Sequence, residues 1–459
     1  MTERVVVIGG SAGGMATASQ ARRLRGPDDL RIVAFERGNY TSYSACGIPY
    51  WVGGLVQNAD DLIARDPATF RDEFAIDVRT HHEVTAIDLN RREVVARDLR
   101  GGGEHREPFD TLVYATGAVP RVPDWARGGP EGIFGVQTLD DGAALLAWLD
   151  AEPTPRRAVV AGGGYIGVEM AEALVRRGLD VTLVERRDEP MSTVDPDMGA
   201  LVRAALCELG IDVRSGREIH GLVASDGRVR AVRTDASEIP ADVVVLGLGV
   251  RPNNALARTA GLPLGSTGGV LVDPRMRVQG LDGVWAAGDC VETRHRLTGQ
   301  PVHIPLGTYA NKQGRVAGIN IGGGYLTFPG VLGTAVTKVC ELEVGRTGLL
   351  EREARQAGYD YAVTRVESHN QAGYLPDAAP MTVKLLAERR TGLLLGAQIV
   401  GRSHAAKRID ALAVALWNEM TVEEMAGLDL GYAPPYSPVW DPVLIAARKA
   451  ADAVRAAGC

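Results

Sequence analysis

A lone cysteine lies where a thiol could carry out redox chemistry. Cys46 sits in the run from Ser42 to Tyr50, shortly after Glu36, the acid that ends a predicted strand. The chain has four other cysteines, none of them near this position: Cys207, Cys290, Cys340 and Cys459. If Cys46 is redox active, it must react as a single thiolate with a partner that binds and leaves. The alternative is an inert, buried thiol.

A glycine-rich turn precedes this cysteine and predicts a dinucleotide site. The buried strand Val5 to Ile8 runs into Gly9, and a helix is predicted to open near Gly14. Small residues there, with Ser11 in place of the usual middle glycine and Ala12 after it, let the backbone approach a pyrophosphate. Glu36 ends the next strand at the spacing expected for an acid that binds a ribose. The alternative is an ordinary glycine-rich turn of an α/β protein.

A second, more complete glycine fingerprint makes that alternative much weaker. It comprises Gly162, Gly164, Ile166 and Gly167, and the strand that follows again ends in an acid, Glu185. Glu185 favours the free ribose hydroxyls of NADH, which a carboxylate can accept hydrogen bonds from. The two residues that follow favour the 2′-phosphate of NADPH instead: Arg186 and Arg187. We therefore expect use of NADH, NADPH or both.

Two further strands end in residues that suit a flavin nucleotide. One runs from residue 110 to Thr116 and Gly117, and the other from residue 283 to Gly288 and Asp289. An aspartate at the end of such a strand can accept hydrogen bonds from the sugar-like part of a flavin.

Size and composition limit the classes of protein to which this chain can belong. The chain has 459 residues, 45% hydrophobic and 23% charged, as is typical of a globular protein of about three domains. Its net charge of −7 gives no electrostatic case for nucleic acid or an anionic membrane. The cysteines form no CxxC pair, so we expect no zinc site and no disulfide framework. No apolar run is long enough to span a bilayer, and the expected location is a reducing cytoplasm.

Together these motifs resemble the pyridine nucleotide-disulfide oxidoreductases across essentially the whole chain. The resemblance implies an FAD site at the first glycine turn and an NAD(P)H site at the second. It also implies that further residues line the cofactor sites: Arg37, Ser42, Gly249 and Ala310. The branch with a single redox cysteine is the better match, because Cys46 lacks the CxxxxC partner of dithiol members.

The resemblance also predicts the fold class and the order of the domains. The expected fold is α/β, with two Rossmann-like dinucleotide-binding domains and an α+β C-terminal dimerisation domain. The FAD domain would cover residues 1–150 and 251–325, the NAD(P)H domain 151–250, and the dimerisation domain 326–459. A homodimer is therefore expected.

Within that branch, the sequence around Cys46 is similar to coenzyme A-disulfide reductases. The resemblance implies that coenzyme A is the small-molecule partner and that five residues bind it: Gln20, Arg22, Arg23, Ser42 and Arg71. The alternative for the three helix residues among them is a solvated basic face. One residue departs from the pattern, since Ala45 stands where these reductases usually have asparagine.

The proton donor and the electron acceptor are the remaining expectations. Tyr374 and Tyr432 match the tyrosines that the resemblance brings from the partner subunit to polarise the thiol; the alternative is interface packing. Electrons would pass from NAD(P)H through FAD to Cys46, which then reduces a low-molecular-weight disulfide, coenzyme A disulfide being the first expectation. The alternatives are an NAD(P)H oxidase, a coenzyme A persulfide or polysulfide reductase and, from another class, an electron-transfer reductase for a protein partner.

Overall fold

The computed structural model describes residues 2–151 and 153–457. Cys459 lies outside the described residues. The strands are, in chain order, β1 (Glu3–Ile8), β2 (Leu30–Phe35), β3 (Ile76–Arg79), β4 (His82–Asp88), β5 (Glu93–Asp98), β6 (Glu104–Pro108), β7 (Thr111–Tyr114), β8 (Ala118–Pro120), β9 (Ile133–Gly135), β10 (Arg157–Ala161), β11 (Asp180–Glu185), β12 (Asp212–Ser215), β13 (Ile219–Ser225), β14 (Arg228–Thr234), β15 (Glu238–Pro240), β16 (Val243–Leu246), β17 (Val250–Pro252), β18 (Val284–Ala286), β19 (Thr293–Arg294), β20 (Pro301–Val302), β21 (Ala335–Val339), β22 (Leu342–Gly348), β23 (Tyr361–His369), β24 (Pro380–Glu388) and β25 (Leu394–Arg402).

Helices connect most of these strands. They are α1 (Ala12–Leu24), α2 (Ile48–Val52), α3 (Pro67–Phe74), α4 (Leu139–Leu149), α5 (Tyr165–Arg176), α6 (Pro196–Glu208), α7 (Ala255–Thr259), α8 (Gly307–Ile321), α9 (Glu351–Gln356), α10 (Ile409–Trp417), α11 (Val422–Ala426) and α12 (Pro442–Ala457). Short 3-10 helices lie at 45–47, 59–62, 124–126 and 406–408. None of the helices within the described ranges is both long and apolar enough to cross a bilayer.

The chain divides into two compact units. Unit 1 comprises residues up to 121, 136–147 and 249–331. Its centre is a parallel five-stranded sheet of order β18-β7-β1-β2-β3. The run Val5–Val7 is fully buried, as expected of a parallel strand covered on both faces. An antiparallel sheet, β4-β5-β6, belongs to the same unit. The helices α1 and α8 pack closely because glycines of α8 lie against the backbone of α1.

Unit 2 comprises residues 122–135, 148–248 and those from 332 onward. It contains a second parallel sheet, of order β12-β11-β10-β16-β9, and the antiparallel sheet β13-β14-β15. It also contains an antiparallel sheet of order β21-β22-β25-β24-β23, against which α10 and α12 pack. The predicted fold class is therefore confirmed: two parallel sheets of the Rossmann type and a C-terminal α+β part.

The predicted boundary at residue 150 needs one correction. Strand β9 lies inside the range 1–150, but it pairs in parallel with β16, with Ile133 opposite Val244, and so completes the second parallel sheet. The backbone hydrogen bonds of β16 decide this placement, because β9 covers the edge that β16 would otherwise expose. The other predicted boundaries, between the four segments, stay a prediction.

A buried lysine joins two helices to the C-terminal sheet of unit 2. Lys384 of β24 has a side chain that is 2% exposed, and its Nζ lies 2.6 Å from Asp197, 2.6 Å from Glu351 and 3.2 Å from Asp195. Asp195 also accepts a hydrogen bond from the Gln398 amide at 2.7 Å. Burial opposes the charge on Lys384, but these carboxylates outweigh it and raise the pKa of the lysine. The lysine therefore stays charged and ties α6 and α9 to the C-terminal sheet.

Replacing this lysine should destabilise unit 2. Lys384→Met leaves carboxylates without their cation in a buried place, which should lower the free energy of unfolding by roughly 3–5 kcal/mol. Thermal unfolding followed by circular dichroism measures the effect. Lys338→Met is the matched control, since Lys338 is exposed and lies 3.7 Å from Glu341 on the surface. Equal unfolding midpoints for the two variants would contradict this role of Lys384.

Candidate functional site

The turn between β1 and α1 can be made only with glycine at two places. Gly9 has a φ of +113°, and a Cβ there would lie 2.1 Å from the carbonyl oxygen of Ala115. A Cβ on Gly14 would lie 2.0 Å from the carbonyl oxygen of Gly9. Since real Cβ atoms do not approach so closely, these two glycines let β1, β7 and α1 meet in a tight turn.

The N-terminus of α1 is open to an anion. Ser11 is the N-cap, and its side chain makes no capping hydrogen bond within the part of the chain that the structure describes. The first turn, which begins at Ala12, contains no acidic residue. Amides of the first helical turn carry partial positive charge, so the predicted place for a pyrophosphate is chemically suitable.

Glu36 holds the glycine turn in shape. Its carboxylate accepts hydrogen bonds from the amide of Gly10 at 2.8 Å and from that of Gly38 at 2.7 Å. Each carboxylate oxygen keeps a second lone pair for a ligand hydroxyl. Arg37 follows it and is exposed. The acid predicted to bind a ribose is thus also part of the turn that would bind the pyrophosphate.

The ends of β7 and β18 bring the other predicted flavin residues to the same edge of the sheet. Thr116 donates from its Oγ1 to the carbonyl of Asn253 at 2.8 Å, and Gly117 follows with a φ of +67°. Gly288 lies beside α8, where a Cβ on it would contact Ala310. The carboxyl ends of parallel strands and the N-terminus of α1 therefore meet here, as in dinucleotide-binding sheets.

Two residues of this edge were not predicted as site residues. Gln313 of α8 is buried and accepts a hydrogen bond from the amide of Gly288 at 2.8 Å. His303 lies 2.8 Å from the carbonyl oxygen of Asp289, to which its Nε2 must donate. Gln313 is brought to Gly288 only by the fold, since the two residues are 25 positions apart in the sequence.

The carboxyl group of Asp289 fits a flavin. Burial raises its pKa to about 6, and no hydrogen bond from the described residues offsets that burial. A ligand whose hydroxyls donate to this carboxylate would provide the missing stabilisation, as the ribityl chain of FAD would do. The residues present therefore fit FAD: an open helix terminus for its pyrophosphate, Glu36 for a ribose and Asp289 for its ribityl chain.

The second glycine turn, in unit 2, has the same construction. Gly162 has a φ of +97°, and a Cβ there would lie 2.6 Å from the carbonyl oxygen of Gly247. A Cβ on Gly167 would lie 1.9 Å from the carbonyl oxygen of Gly162. Gly164 is the N-cap of α5 and borders open space, with Ile166 one residue into the helix. This turn therefore has room for a second dinucleotide.

Glu185 repeats the role of Glu36. Its carboxylate accepts from the amide of Gly163 at 2.7 Å and from that of Arg187 at 2.8 Å. Arg186 is exposed and lies 3.6 Å from Glu218. Gly249, predicted to line a cofactor site, has a φ of +79°, and its carbonyl accepts from the amide of Arg121 at 2.9 Å. Its place in a cofactor site stays a prediction.

The loop that carries Cys46 is fixed to the first glycine turn. Ser42 has a φ of +45°, and its amide donates to the carbonyl of Gly10 at 3.1 Å. The amide of Ala64 in turn donates to the carbonyl of Ser42 at 2.8 Å. Cys46 lies in the 3-10 helix that follows and is exposed. Ser42 thus has a left-handed backbone, a conformation that costs energy and is concentrated at functional sites. Cys46 is exposed and not buried, and its redox role stays a prediction.

Arg22, predicted to bind coenzyme A, is instead part of the framework of unit 1. It is only 9% exposed, and its guanidinium donates to the carbonyls of Leu30 at 2.7 Å, Phe74 at 2.9 Å and Ala75 at 3.1 Å. Burial lowers its pKa. The prediction that Arg22 binds a substrate is wrong, because its donors are already used to join α1 to β2 and α3.

Three other residues predicted to bind coenzyme A are accessible to solvent. Arg23 and Arg71 are exposed, and Gln20 is half-buried. The guanidinium of Arg23 lies 6.0 Å from the ring centre of Phe74, and that of Arg65 lies 5.2 Å from it. Two guanidiniums close to one aromatic ring give this surface positive charge, which suits a ligand that carries phosphate.

The two predicted tyrosines lie in loops of unit 2. Tyr374 is 75% exposed and Tyr432 is 50% exposed. Tyr436 follows in the second loop and is also exposed. Their hydroxyls are therefore accessible to a ligand or to a second copy of the chain.

Two glycine turns, each with its own acid, and a thiol fixed to one of them define a redox protein that binds two dinucleotides. Comparison with known families agrees. Residues 3–314 match the pyridine nucleotide-disulphide oxidoreductase family, and residues 334–442 match its dimerisation domain. The chain belongs to this family. It is an oxidoreductase that uses FAD together with NADH or NADPH.

Individual relatives cover nearly the whole chain. The NAD(P)H coenzyme A polysulfide/persulfide reductase of Pyrococcus horikoshii is 37% identical over 98% of both chains. The coenzyme A disulfide reductase of Staphylococcus haemolyticus is 28% identical over 98% of this chain and 99% of its own. Among solved structures, an NAD-dependent persulfide reductase from A. fulgidus is 40% identical and superposes with a TM-score of 0.94, over 99% of this chain and 84% of that one.

The buried carboxyl of Asp289 predicts a pH effect in flavin-free protein. Its folded pKa of about 6 lies above the ordinary 3.8, so ionisation costs stability as the pH rises from about 4 to 6. Asp289→Asn should remove this loss, on the order of 3 kcal/mol, and should also weaken FAD binding. Thermal unfolding of apoprotein from pH 4 to 8 measures the first effect, and flavin titration the second. The exposed Asp282→Asn is the control; parallel pH curves for parent and Asp289→Asn would refute the assignment.

The framework role of Arg22 predicts a contrast with its neighbour. Arg22→Met leaves several buried carbonyls without donors and should lower the free energy of unfolding by roughly 2–4 kcal/mol. Arg23→Met, on the exposed face, should change it by less than about 0.5 kcal/mol. Urea unfolding of both variants measures the difference. An Arg22→Met protein as stable as its parent would restore Arg22 as a candidate ligand residue.

Proposed function

We propose that this protein uses NADH or NADPH to reduce the S–S bond of a coenzyme A-linked sulfur compound, with Cys46 as the attacking sulfur. The observation that carries the proposal is the anchoring of the Cys46 loop on the FAD-binding turn, through the hydrogen bond from Ser42 to Gly10. An exposed thiol held beside a flavin site is suited to exchange electrons with the flavin and sulfur with a substrate.

The residues of the chain would do the following. The glycine turns bind the two pyrophosphates, and Glu36, Glu185 and Asp289 orient the sugars. The thiolate of Cys46 attacks one sulfur of the substrate, forms a mixed disulfide and releases the other sulfur as a thiolate or hydrosulfide. FAD, held by these residues, would supply the two-electron transfer from NAD(P)H that reduces this disulfide. Coenzyme A thiol then leaves, and the thiolate of Cys46 is restored.

Recognition of coenzyme A would rest on a surface formed by exposed residues of α1 and α3 together with Arg65. Arg23 and Arg65 flank the ring of Phe74, and Gln20 and Arg71 lie on the same two helices. Guanidinium groups pair with phosphates, which coenzyme A carries. Arg22 supports this surface from below by joining α1 to α3.

A persulfide or polysulfide is the preferred acceptor in this proposal, ahead of the coenzyme A disulfide expected first. Two observations support that order. The persulfide-reducing relatives are 37% and 40% identical to this chain, whereas the Staphylococcus haemolyticus disulfide reductase is 28% identical and the Bacillus anthracis CoADR-RHD is 34% identical. Ala45 also replaces the asparagine that the disulfide reductases usually carry next to the cysteine, and so removes a polar contact for the second, bulky half of a disulfide.

The remaining expectations form part of the same proposal. The protein would work as a homodimer in a reducing cytoplasm, where an exposed thiol is maintained. Tyr374 and Tyr432 of one subunit would supply protons to the thiol that departs from the other. Glu185 would favour NADH, since both its oxygens can still accept from ribose hydroxyls.

An acceptor panel with two variants tests the proposal. Coenzyme A persulfide, coenzyme A disulfide, glutathione disulfide and oxygen are compared at equal NADH. We expect the persulfide to give the highest kcat/KM. Cys46→Ser should abolish reduction of both coenzyme A compounds while NADH still bleaches the flavin in stopped flow. Arg23→Met should raise KM for them by roughly tenfold, with little effect on KM for NADH.

Each outcome of this panel has a defined consequence. Equal reduction of the coenzyme A compounds by Cys46→Ser and the parent would refute the role of the cysteine. A preference for oxygen would favour the oxidase alternative. Activity only with a protein acceptor, unaffected by Cys46→Ser, would favour an electron-transfer reductase.

A further inference from the structure

One guanidinium in unit 2 holds the backbone of three separate loops. Arg408, in the 3-10 helix at 406–408, has a side chain that is 12% exposed. It donates from Nη1 to the carbonyl of His404 at 2.8 Å and from Nη2 to the carbonyl of Asn370 at 2.8 Å. Nη2 also donates to the carbonyl of Tyr436, and Nε donates to the carboxylate of Asp441 at 3.1 Å.

The first of these loops carries Tyr374. Asn370 closes it at its base, because its side-chain oxygen accepts from the amide of Ala379 at 2.8 Å and its own amide donates to the carbonyl of Ala379 at 3.0 Å. The bond from Arg408 is made to this same Asn370. Since the Tyr374 side chain is largely exposed, packing within its own chain does little to fix the loop, and the base of the loop must do so.

The second loop carries Tyr432 and Tyr436 and ends at Asp441, just before α12. Asp441 accepts from the hydroxyl of Ser437 at 3.0 Å and from the amide of Val443 at 2.8 Å, so it closes the loop on the helix. Arg408 therefore binds this second loop twice, at the carbonyl of Tyr436 and at Asp441.

The two tyrosine loops also touch each other, and the third loop is strained. The amide of Ala372 donates to the carbonyl of Pro434 at 3.0 Å. Ser403 and His404, neither of them glycine, have φ values of +44° and +65°, a conformation that costs about 1–3 kcal/mol per residue. Arg408 holds the carbonyl of His404 in that turn. Strain of this kind persists where the surrounding structure holds it, and it is concentrated at functional sites.

We propose that Arg408 is a positioning residue for the acceptor-reducing step. It fixes the loops of Tyr374 and Tyr432 relative to each other. This inference rests on the proposed function, since it assigns those tyrosines a part in the reaction. Arg408 acts through backbone atoms and not on the substrate. A lysine could keep the pair with Asp441, but its compact ammonium lacks the planar fork that reaches three carbonyls at once.

The test uses the full-length holoenzyme and separates the two half-reactions. Arg408→Met should lower kcat for the acceptor that the parent reduces by roughly ten-fold to a hundred-fold, the usual effect of misplacing a reacting group by about 1 Å. The rate of flavin reduction by NADH should stay within about twofold of the parent. Arg408→Lys should lie between the two. Arg402→Met is the matched control, because Arg402 is exposed and pairs only with Glu208, at 2.8 Å, among the partners that the structure describes.

A double-mutant cycle distinguishes positioning from general stability. If Arg408 acts through the tyrosines, Arg408→Met should add little to the loss already caused by Tyr374→Phe with Tyr432→Phe. Additive losses, equal losses in both half-reactions, or an acceptor turnover like that of Arg402→Met would each overturn the proposal. If Arg408→Met does not fold, Arg408→Lys decides: a selective loss of acceptor turnover supports the proposal and parental turnover refutes it.

Failure here can be told apart from failure of the proposed function. The proposed function is judged on Cys46→Ser and the acceptor panel, in which Arg408 is unchanged. If the coenzyme A activity is absent but the tyrosine and Arg408 variants still slow another acceptor together, only the substrate assignment fails. If the tyrosine variants leave turnover unchanged, the positioning role of Arg408 is refuted whatever the substrate.

Discussion

The close approach of backbone atoms at the glycine turns is the constraint on which both nucleotide sites depend. In each parallel sheet, the first glycine lies against a carbonyl of the neighbouring strand and the last lies against the carbonyl of the first. No side chain fits in either place. Because strand, turn and helix are held this closely, the helix terminus faces the point where the strands end, and the acid of the second strand can reach an amide of the turn.

The loop of Cys46, the proposed redox residue, is joined to the first of these turns by a short series of hydrogen bonds. Ser42 binds the turn, and the residues that follow it place the thiol beyond a strained backbone. Unit 2 is organised differently. Its exposed tyrosines lie in loops whose ends are held by hydrogen bonds from Arg408. Lys384 and Arg408 are the two buried cations of that unit described above, and each joins segments far apart in sequence. Parallel sheets thus hold the nucleotide-binding turns, while two buried cations join distant segments of unit 2.

Sequence reasoning succeeded where local pattern decides the structure. Both glycine turns, both terminal acids and the fold class could be predicted, because the spacing of glycines and buried runs reflects short-range geometry. It failed for Arg22, since a helix position next to an exposed arginine gives no sign that Phe74 and Ala75 will offer their carbonyls. It could not assign roles to Gln313 or Arg408, because their partners are brought to them only by the fold. Strand β9 was misplaced for the same reason: its pairing with β16 spans more than a hundred residues.

The double use of Glu185 has a consequence for anyone who wishes to change the coenzyme preference of this protein. Its carboxylate is an acceptor for two amides of its own turn as well as a candidate partner for a ribose. Removing the acid to admit a 2′-phosphate would therefore also loosen the turn that holds the pyrophosphate, so affinity for either coenzyme would fall together. A redesign that keeps an acceptor at this position, as glutamine does, and adds positive charge elsewhere would separate coenzyme selectivity from the integrity of the loop.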